Sequence, residues 1–582
     1  MKILCLHVDY IKFKPLKKAL KNVQELSEKE KKGNEVKEAL AVLIAVEKSD
    51  SKETVNGLVE NIKDVAKQIN AKKIVLYPYA HLSKNLGNPE LAVDILSSAE
   101  KLLKKDFEVV KAPFGYYKEF ELKVKGHPLS ELSREINVDN IQVKEEKEIE
   151  HEAELTLSQR ESLLNSATKV HMSAPKGQKG MKSNVELGKE LDLYVVSEIV
   201  GKGLPLFTPR GTTIRRELER FIVDEELKRG YQYTSTPIMA KSDLYKISGH
   251  WQHYKEGMFV LNVGDETFAL RPMTCPFQFI IYKSKPRSYK ELPIKYAEIA
   301  DLFRNEQSGE LRGLTRVRQF SLADAHIICR PEQLEEEFEK VVDLIKYVMK
   351  TLGIEVWYRF SKWDPKNKEK YIDNPKAWEA SQRSMKKILD KLKMKYVEAE
   401  NEAAFYGPKL DLQYKDVYGK EDTLITVQID FALPERFDLT YHDEDGKDKR
   451  PMVIHRSSIG CIERTLAYIL EKTQGRLATW LAPIQVRVIS FTDINVEYSK
   501  KIIKKLGEQI PNLRIDADFT QTTIPSKVKD AENMKIPYVI VLGDREEKSN
   551  SLAVRTKGSG NIENYKVDEF ISKLKKEINE RM

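Results

Sequence analysis

The chain has 582 residues, a formal net charge of +8, and charged side chains at 32% of the total. At a prior of ~150 residues per domain this predicts three or four units, and 41% hydrophobic with 9% aromatic residues is normal for packed globular cores. The charge is too weak and too evenly mixed to mark the whole chain as a polyanion binder, so a nucleic-acid site must be a local patch.

No apolar run reaches the ~18 residues of a membrane span. The four cysteines, Cys5, Cys275, Cys329 and Cys461, show no CxxC and no paired spacing, which argues against a disulfide framework. The N-terminus MKILCLHVDY has no long apolar run and no cleavage site. A cytoplasmic protein without membrane contact is expected.

In chain order, residues 1–140 alternate strand-like runs (MKILCLHV, EALAVLIAVE, KKIVLYPY) with amphipathic helical ones (SKETVNGLVENIKDVAKQIN, PELAVDILSSAEKLLKK), the pattern of an α/β domain. FEVVKAP and KEFELKVKG then read as a strand pair interrupted by Pro113 and Gly115. Residues 141–185 have linker composition, a charged stretch with a short helix followed by the Lys-, Gly- and Ser-rich SAPKGQKGMKS.

Residues 186–481 interleave long helices (TTIRRELERFIVDEELKRG, PEQLEEEFEKVVDLIKYVMKTLG) with strands such as ETFALRPM, IKYAEIADLFR and LITVQIDFAL. Most of these strands lack a crossover helix, which favours an antiparallel sheet. Residues 482–582 return to regular strand–helix alternation, a small α/β sheet domain. The expected fold class is therefore multidomain α/β and α+β.

One segment carries most of the chemical information: YAEIADLFRNEQSGELRGLTRVRQFSLADAH. It reads as a strand to Asn305, a loop with Gly309 and Gly313, and a return strand. An arginine pair around such a turn, taken by itself, reads first as a charged surface hairpin. Three further residues, Cys275, His326 and His455, are metal-ligand types, but no local spacing groups them. On residues alone they read first as a small buried thiol and two hydrogen-bonded imidazoles, and not as a shared metal site.

The opening FRNE and returning RVRQF of that hairpin resemble motif 2 of the class II aminoacyl-tRNA synthetases. PRGTTIRRELERFIVDEELKRGYQYTSTPIM resembles their motif 1, and GCIERTLAYILE their motif 3. The resemblance implies that Arg304 bridges the α-phosphate of ATP and the amino-acid carboxylate, where a planar guanidinium neutralises two oxyanions. It further implies that Glu306 recognises the adenine side, Arg316 holds the γ-phosphate, Phe320 stacks under the adenine and Arg464 covers its other face, with Mg²⁺ on the phosphates. No P-loop or dinucleotide glycine pattern competes for the nucleotide.

Within that class, LRPMTCP, ADAHI and VIHRSSIG are similar to the zinc-bearing segments of threonyl-tRNA synthetases. The likeness implies one Zn²⁺ on Cys275, His326 and His455, with room left for the amino and hydroxyl groups of L-threonine. Asp324 would accept the hydroxyl hydrogen bond, and Tyr406 and Gln428 would line the pocket. Two departures from bacterial members stand out: Leu322 in SLADAH, and TLITVQ without a Trp before Gln428. A class II enzyme for another amino acid, such as prolyl, would lack the Cys–His–His set; a non-catalytic RNA-binding paralogue would not need Arg304, Arg316 and Arg464.

A metal that grips a hydroxyl also admits serine, which differs by one methyl worth roughly 1–3 kcal/mol. A second, hydrolytic site is expected on that ground. MKILCLHVDY, YPYAHLS and FGYYKEFELKVKGHPLSE resemble the archaeal threonyl editing domain, itself similar to D-aminoacyl-tRNA deacylases. Tyr79, Ala80, His81, Tyr117, Lys118 and Glu131 would line that site, with Lys118 and Glu131 orienting a water and stabilising the oxyanion. No protein nucleophile is expected, and Cys5 reads as core. IPYVIVLGDRE and LAVRT resemble the class II anticodon-binding domain, with Glu546 and Arg555 at positions that read anticodon bases. The partners implied are threonine tRNA, ATP, L-threonine and a second copy of the chain packed through motif 1.

Overall fold

The computed structural model describes residues 1–20, 25–48, 50–51, 54–83, 85–127, 129–136, 160, 180–367, 370–558 and 561–581. Two compact units divide it, Met1–Glu154 and Leu155–Met582. Of the predicted linker 141–185, residues 141–159 and 161–179, with the short helix expected there, lie outside the described residues. No helix among the described residues is long and apolar enough to cross a membrane.

In the first unit the strands are β1 (Lys2–Lys18), β2 (Asn34–Ala45), β3 (Lys73–Pro78), β4 (Glu108–Lys111), β5 (Tyr116–Val124) and β6 (Glu131–Glu135). They form one sheet in the order β4-β3-β2-β1-β5, with β6 also on β1. Helices α1 (Thr54–Gln68) and α2 (Pro89–Leu103) cover one face, and Ile3, Cys5, Leu40, Val42 and Ile44 pack beneath them. On the other face the apolar row shifts parity along β1, from Leu6 and Val8 to Ile11 and Phe13. A register irregularity between Val8 and Tyr10 and a positive φ of 50° at Glu38 on the paired strand mark the change. A bulge of this kind bends a strand and increases its twist.

The predicted pairing of FEVVKAP with KEFELKVKG is not found. β4 is parallel to β3 on one edge, and β5 is antiparallel to β1 on the other. The crossover through α2 commits β4 to its parallel partner. The curl of the sheet carries β5 back over the uncovered face, so Phe120 lies 5.3 Å from the ring of Tyr77.

The second unit begins with α3 (Asn184–Glu190), whose cap Ser183 and first residue Asn184 are buried. The sequence puts these two residues in the linker; a capping box between Ser183 and Glu186 instead folds them onto the unit's core. Helix α4 (Pro209–Lys228) follows. The central sheet uses β7 (Gln232–Tyr233), β8 (Ile294–Phe303), β9 (Gln319–Cys329), β10 (Trp357–Ser361), β11 (Tyr396–Ala399), β12 (Lys409–Lys415), β13 (Glu421–Asp430) and β14 (Met452–Cys461). Their order is β11-β10-β12-β13-β14-β9-β8-β7. It is antiparallel except at β7–β8 and β10–β11. Helices α5 (Cys275–Lys283), α6 (Leu334–Leu352) and α7 (Ile462–Thr473) accompany it.

The C-terminal part is a second sheet, from β15 (Val486–Ser490), β16 (Ile515–Asp518), β17 (Tyr538–Leu542), β18 (Ser551–Thr556) and β19 (Ile562–Lys566). The order is β16-β15-β17-β18-β19, parallel for the first three strands and antiparallel beyond. Arg514 and Arg581 fasten this part to α4, at 3.0 Å from Glu217 and 2.8 Å from Asp224.

Candidate active site

Strand alternation puts Asp324 and His326 on one face of β9, and His455 and Ser457 on one face of β14. His326 stands directly opposite His455, and His455 opposite Gln428 on β13. These residues open into a cavity of about 380 Å³. The first turn of α5 delivers Cys275 to the same place. The ligand atoms of Cys275, His326 and His455 lie within 4.8 Å of one another, and all three residues are buried. Phe279, one turn along α5, packs edge-on against both imidazoles, 5.8 and 5.9 Å away.

The hydrogen bonds of the two imidazoles decide which nitrogens face the cavity. His326 Nδ1 is 2.6 Å from Gln278 Oε1, and His455 Nε2 is 2.7 Å from Asp430 Oδ2. Each partner accepts the ring proton, which leaves His326 Nε2 and His455 Nδ1 as lone-pair donors. Burial pushes the Cys275 thiol well up and the His326 imidazole well down, the directions that keep both neutral until a cation offsets the cost. Two imidazoles whose other ring nitrogens meet accepting partners, a thiol and three-fold protein ligation fit a zinc ion with open positions.

Gln278 and Asp430 were not singled out in the sequence. Gln278 is three residues past Cys275 on a helix, and Asp430 two past Gln428 on a strand, so each shares a face with a residue that was. His250 and Lys409, also in the lining, carried no such spacing. His250 packs against Phe405 at 5.1 Å, and burial pushes it down to about 3. Asp324 is pushed up to about 6, chiefly by burial.

The nucleotide residues predicted from the sequence line the same cavity: Arg304, Glu306, Arg316, Phe320 and Arg464. Arg304 follows the last residue of β8, and its guanidinium stands 5.1 Å from the centre of the Phe320 ring. It makes no ion pair among the described residues, and its Nε is buried without a hydrogen-bond partner. The buried arginines Arg271 and Arg456 are matched, with Glu298 at 2.9 Å and Glu226 at 2.7 Å. Arg316 is held by Glu306 at 2.7 Å and Glu310 at 3.1 Å. Arg464 opens α7 and donates to the carbonyls of Thr315 and Thr423. The turn into α7 needs Gly460: its φ is +80°, and a Cβ there would sit 2.5 Å from the Leu424 carbonyl oxygen. Tyr406 donates to Gln428.

The first unit has its own cavity, of about 450 Å³, walled by Tyr77 and Phe120 of the curled sheet and by Pro89, Ala92 and Leu96 of α2. Tyr79, Ala80, His81, Tyr117 and Lys118 line it. Glu131 does not: it opens β6, opposite Leu6, and is exposed. Its alignment with β1 takes it along a different stretch of the edge from Lys118. The Lys118 ammonium donates to the carbonyls of Pro113 and Tyr116 at 2.9 and 3.1 Å and lies 5.1 Å over the Tyr77 ring. Burial pushes it down to about 8. Cys5 lies on the helix-covered side of the sheet, its thiol pushed up to about 12 by burial.

In the C-terminal part, Glu546 caps the turn at Gly543, accepting its N–H at 3.0 Å. Arg555 on β18 makes no ion pair among the described residues, and its Nε is buried without a partner.

Comparison with known proteins matches three family profiles in succession. They are the Archaea-specific editing domain of threonyl-tRNA synthetase over residues 1–136, the tRNA synthetase class II core domain (G, H, P, S and T) over 259–473, and an anticodon binding domain over 485–577. The solved RNA binding domain of threonyl-tRNA synthetase from Cryptosporidium parvum Iowa II is 34% identical, with a TM-score of 0.64, covering 68% of this chain and 98% of that one. The chain belongs to the threonyl-tRNA synthetase family.

Among members of that family, the threonine–tRNA ligase of Clostridium botulinum (strain Eklund 17B / Type B) is 55% identical over 398 residues, 68% of this chain and 62% of the relative. That of Clostridium perfringens (strain SM101 / Type A) is 53% identical over 403 residues, with the same coverage. The chain thus spans less than two thirds of the length of these curated relatives.

Proposed function

We propose that the chain is a threonine–tRNA ligase with hydrolytic editing. It activates L-threonine with ATP and Mg²⁺, transfers the threonyl group to its tRNA, and removes serine from mischarged tRNA at the N-terminal cavity. One observation carries this reading: an arginine with no carboxylate partner among the described residues, its Nε buried, and a buried Cys–His–His cluster open into the same cavity. The first suits a substrate with adjoining anionic groups, and the second suits an amino acid with a neighbouring hydroxyl.

Arg304 would bind the α-phosphate and the substrate carboxylate through its two-pronged guanidinium, which has no protein carboxylate to give up first. Glu306 and Arg316 are paired to each other, and Arg316 would exchange its carboxylates for the γ-phosphate. Phe320 and Arg464 would enclose the adenine. Zn²⁺ held by Cys275, His326 and His455 would supply Lewis-acid positions for the amino and hydroxyl groups of threonine. Asp324 would accept a hydrogen bond from the hydroxyl, while Tyr406 and Gln428, hydrogen-bonded to each other, would shape the wall around the side chain. Valine leaves that hydroxyl-binding set unsatisfied, which costs far more than a lost methyl contact.

In the N-terminal cavity, Lys118 is the cation set among apolar walls, and it would stabilise the oxyanion formed as water attacks the seryl ester. Tyr79, Ala80, His81 and Tyr117 would hold the terminal nucleoside and the aminoacyl group. Glu131 is left out of this assignment. Arg555, unpaired on the C-terminal sheet, together with Glu546, would read anticodon bases. Val195, Ile199, Val200 and Leu206, exposed apolar residues just before α4, support a dimer packed through motif 1. Charging of threonine tRNA and hydrolysis of seryl-tRNA by the purified chain test the whole reading; a chain that neither charges the tRNA nor clears serine from it would refute it.

A further inference from the structure

Asn184 is the first residue of α3 and 3% exposed. Its backbone N–H and its Nδ2 both donate to Glu471 Oε1, at 2.9 and 2.6 Å. Its Oδ1 accepts from the Tyr194 hydroxyl at 3.0 Å and from the backbone N–H of Leu314 at 3.1 Å. One amide thereby joins three separate segments: the entry of the unit, the last turns of α7, and the loop between β8 and β9.

That loop carries the cavity's nucleotide side. Leu314 is fully buried, and Arg316 follows two residues later. Gly313 has φ +49°, and a Cβ there would lie 2.4 Å from Asn184 Oδ1, so the close approach depends on a glycine. The Arg318 N–H donates to the Gly203 carbonyl at 2.8 Å, and two further anchors lie closer to Leu314. Arg464 Nε donates to the Thr315 carbonyl at 3.1 Å, and Arg312 pairs with Asp416 at 2.6 Å. Arg464 lines the cavity itself. Asn184 does not, and it acts at the loop from behind.

We propose that Asn184 is a positioning residue for ATP: by tying Leu314 to Glu471 it sets the place of Arg316 and Thr315, and so the affinity of the nucleotide site but not of the amino-acid site. The inference rests on the ATP-binding part of the function proposed above. It follows from connectivity. His326, His455 and Asp324 stand on strands and Cys275 on α5, none of which Asn184 touches, whereas among the described residues the 312–316 turn has no sheet partner beyond its own Arg312–Arg316 bridge.

The substitution that tests this is Asn184→Asp. It keeps an acceptor for Leu314 and Tyr194 but sets a second carboxylate against Glu471, and Glu471→Gln in the same chain restores a donor to the pair. MgATP affinity is measured by titration calorimetry without amino acid, and the threonine KM by ATP–pyrophosphate exchange. Asn184→Asp should weaken MgATP about tenfold while leaving the threonine KM within about twofold, and the double variant should return MgATP affinity to within about threefold of wild type. Unchanged MgATP affinity, an equal rise in both constants, or no recovery in the double variant would overturn the proposal. Should Asn184→Asp not fold, Asn184→Ala read by the same constants takes its place. Wild-type chain that binds MgATP but shows no threonine-dependent exchange would refute the functional reading separately, since the calorimetric comparison still decides the role of Asn184.

Discussion

The two cavities of this chain are of similar size and opposite character. The one in the second unit is about 380 Å³ and gathers arginines, carboxylates, three imidazoles and two thiols from residues 250 to 464. The one in the first unit is about 450 Å³, walled by aromatic and aliphatic groups, with one ammonium. The difference teaches how each can work. A site that places fixed charge against phosphates and a carboxylate depends steeply on single side chains. A site made by the curl of a sheet depends more on backbone shape, and its single cation responds to pH.

Arg304→Ala is the sharpest way to break the comparison. Threonine-dependent ATP–pyrophosphate exchange should fall by about 10²–10³-fold, while hydrolysis of seryl-tRNA stays as it was. Equal loss of both activities would mean that the two cavities are not chemically independent.

The effect expected in the first unit is smaller and has a pH signature. Lys118 is pushed down to about 8 by burial, so its ammonium is present below that pH and lost above it. If the ammonium stabilises the oxyanion, enzymatic deacylation, taken relative to uncatalysed hydrolysis, falls as pH rises through about 8. Lys118→Met should lower the rate roughly tenfold and flatten that profile. A rate that climbs through the same range would assign the neutral amine as a base instead. The smallest effect is expected at Cys5→Ala, which should leave deacylation within about twofold, because the thiol faces the helices and not the cavity.

The same contrast governs what could be read from the sequence. Arg304, Arg316, Phe320 and Arg464 sit in recognisable words around a hairpin, and β8 and β9 pair as that hairpin predicts. Cys275, His326 and His455 had no spacing of their own; only the facing of His326 and His455 across β9 and β14 brings them together. Gln278 and Asp430 escaped because a hydrogen bond to an imidazole is set by tertiary packing. In the first unit, β4 and β5 read as neighbours because they are adjacent in sequence. Sheet order is a non-local property, and the curl that places Lys118 over Tyr77 comes from irregularities at Val8–Tyr10 and Glu38 that no composition reveals. Ser183 and Asn184 were hidden in linker composition, where a capping box four residues long was the one available signal.

The central claim is that the Cys275–His326–His455 cluster selects the amino acid through a metal. The most direct test is ATP–pyrophosphate exchange with threonine, serine and valine, before and after complete removal of zinc by a chelator and again after zinc is restored. The account predicts exchange with threonine and serine, exchange with valine lower by about 10²-fold or more, loss of all exchange on zinc removal, and recovery with zinc. Threonine-dependent exchange that persists in fully zinc-free chain, or valine accepted as readily as threonine, would contradict it.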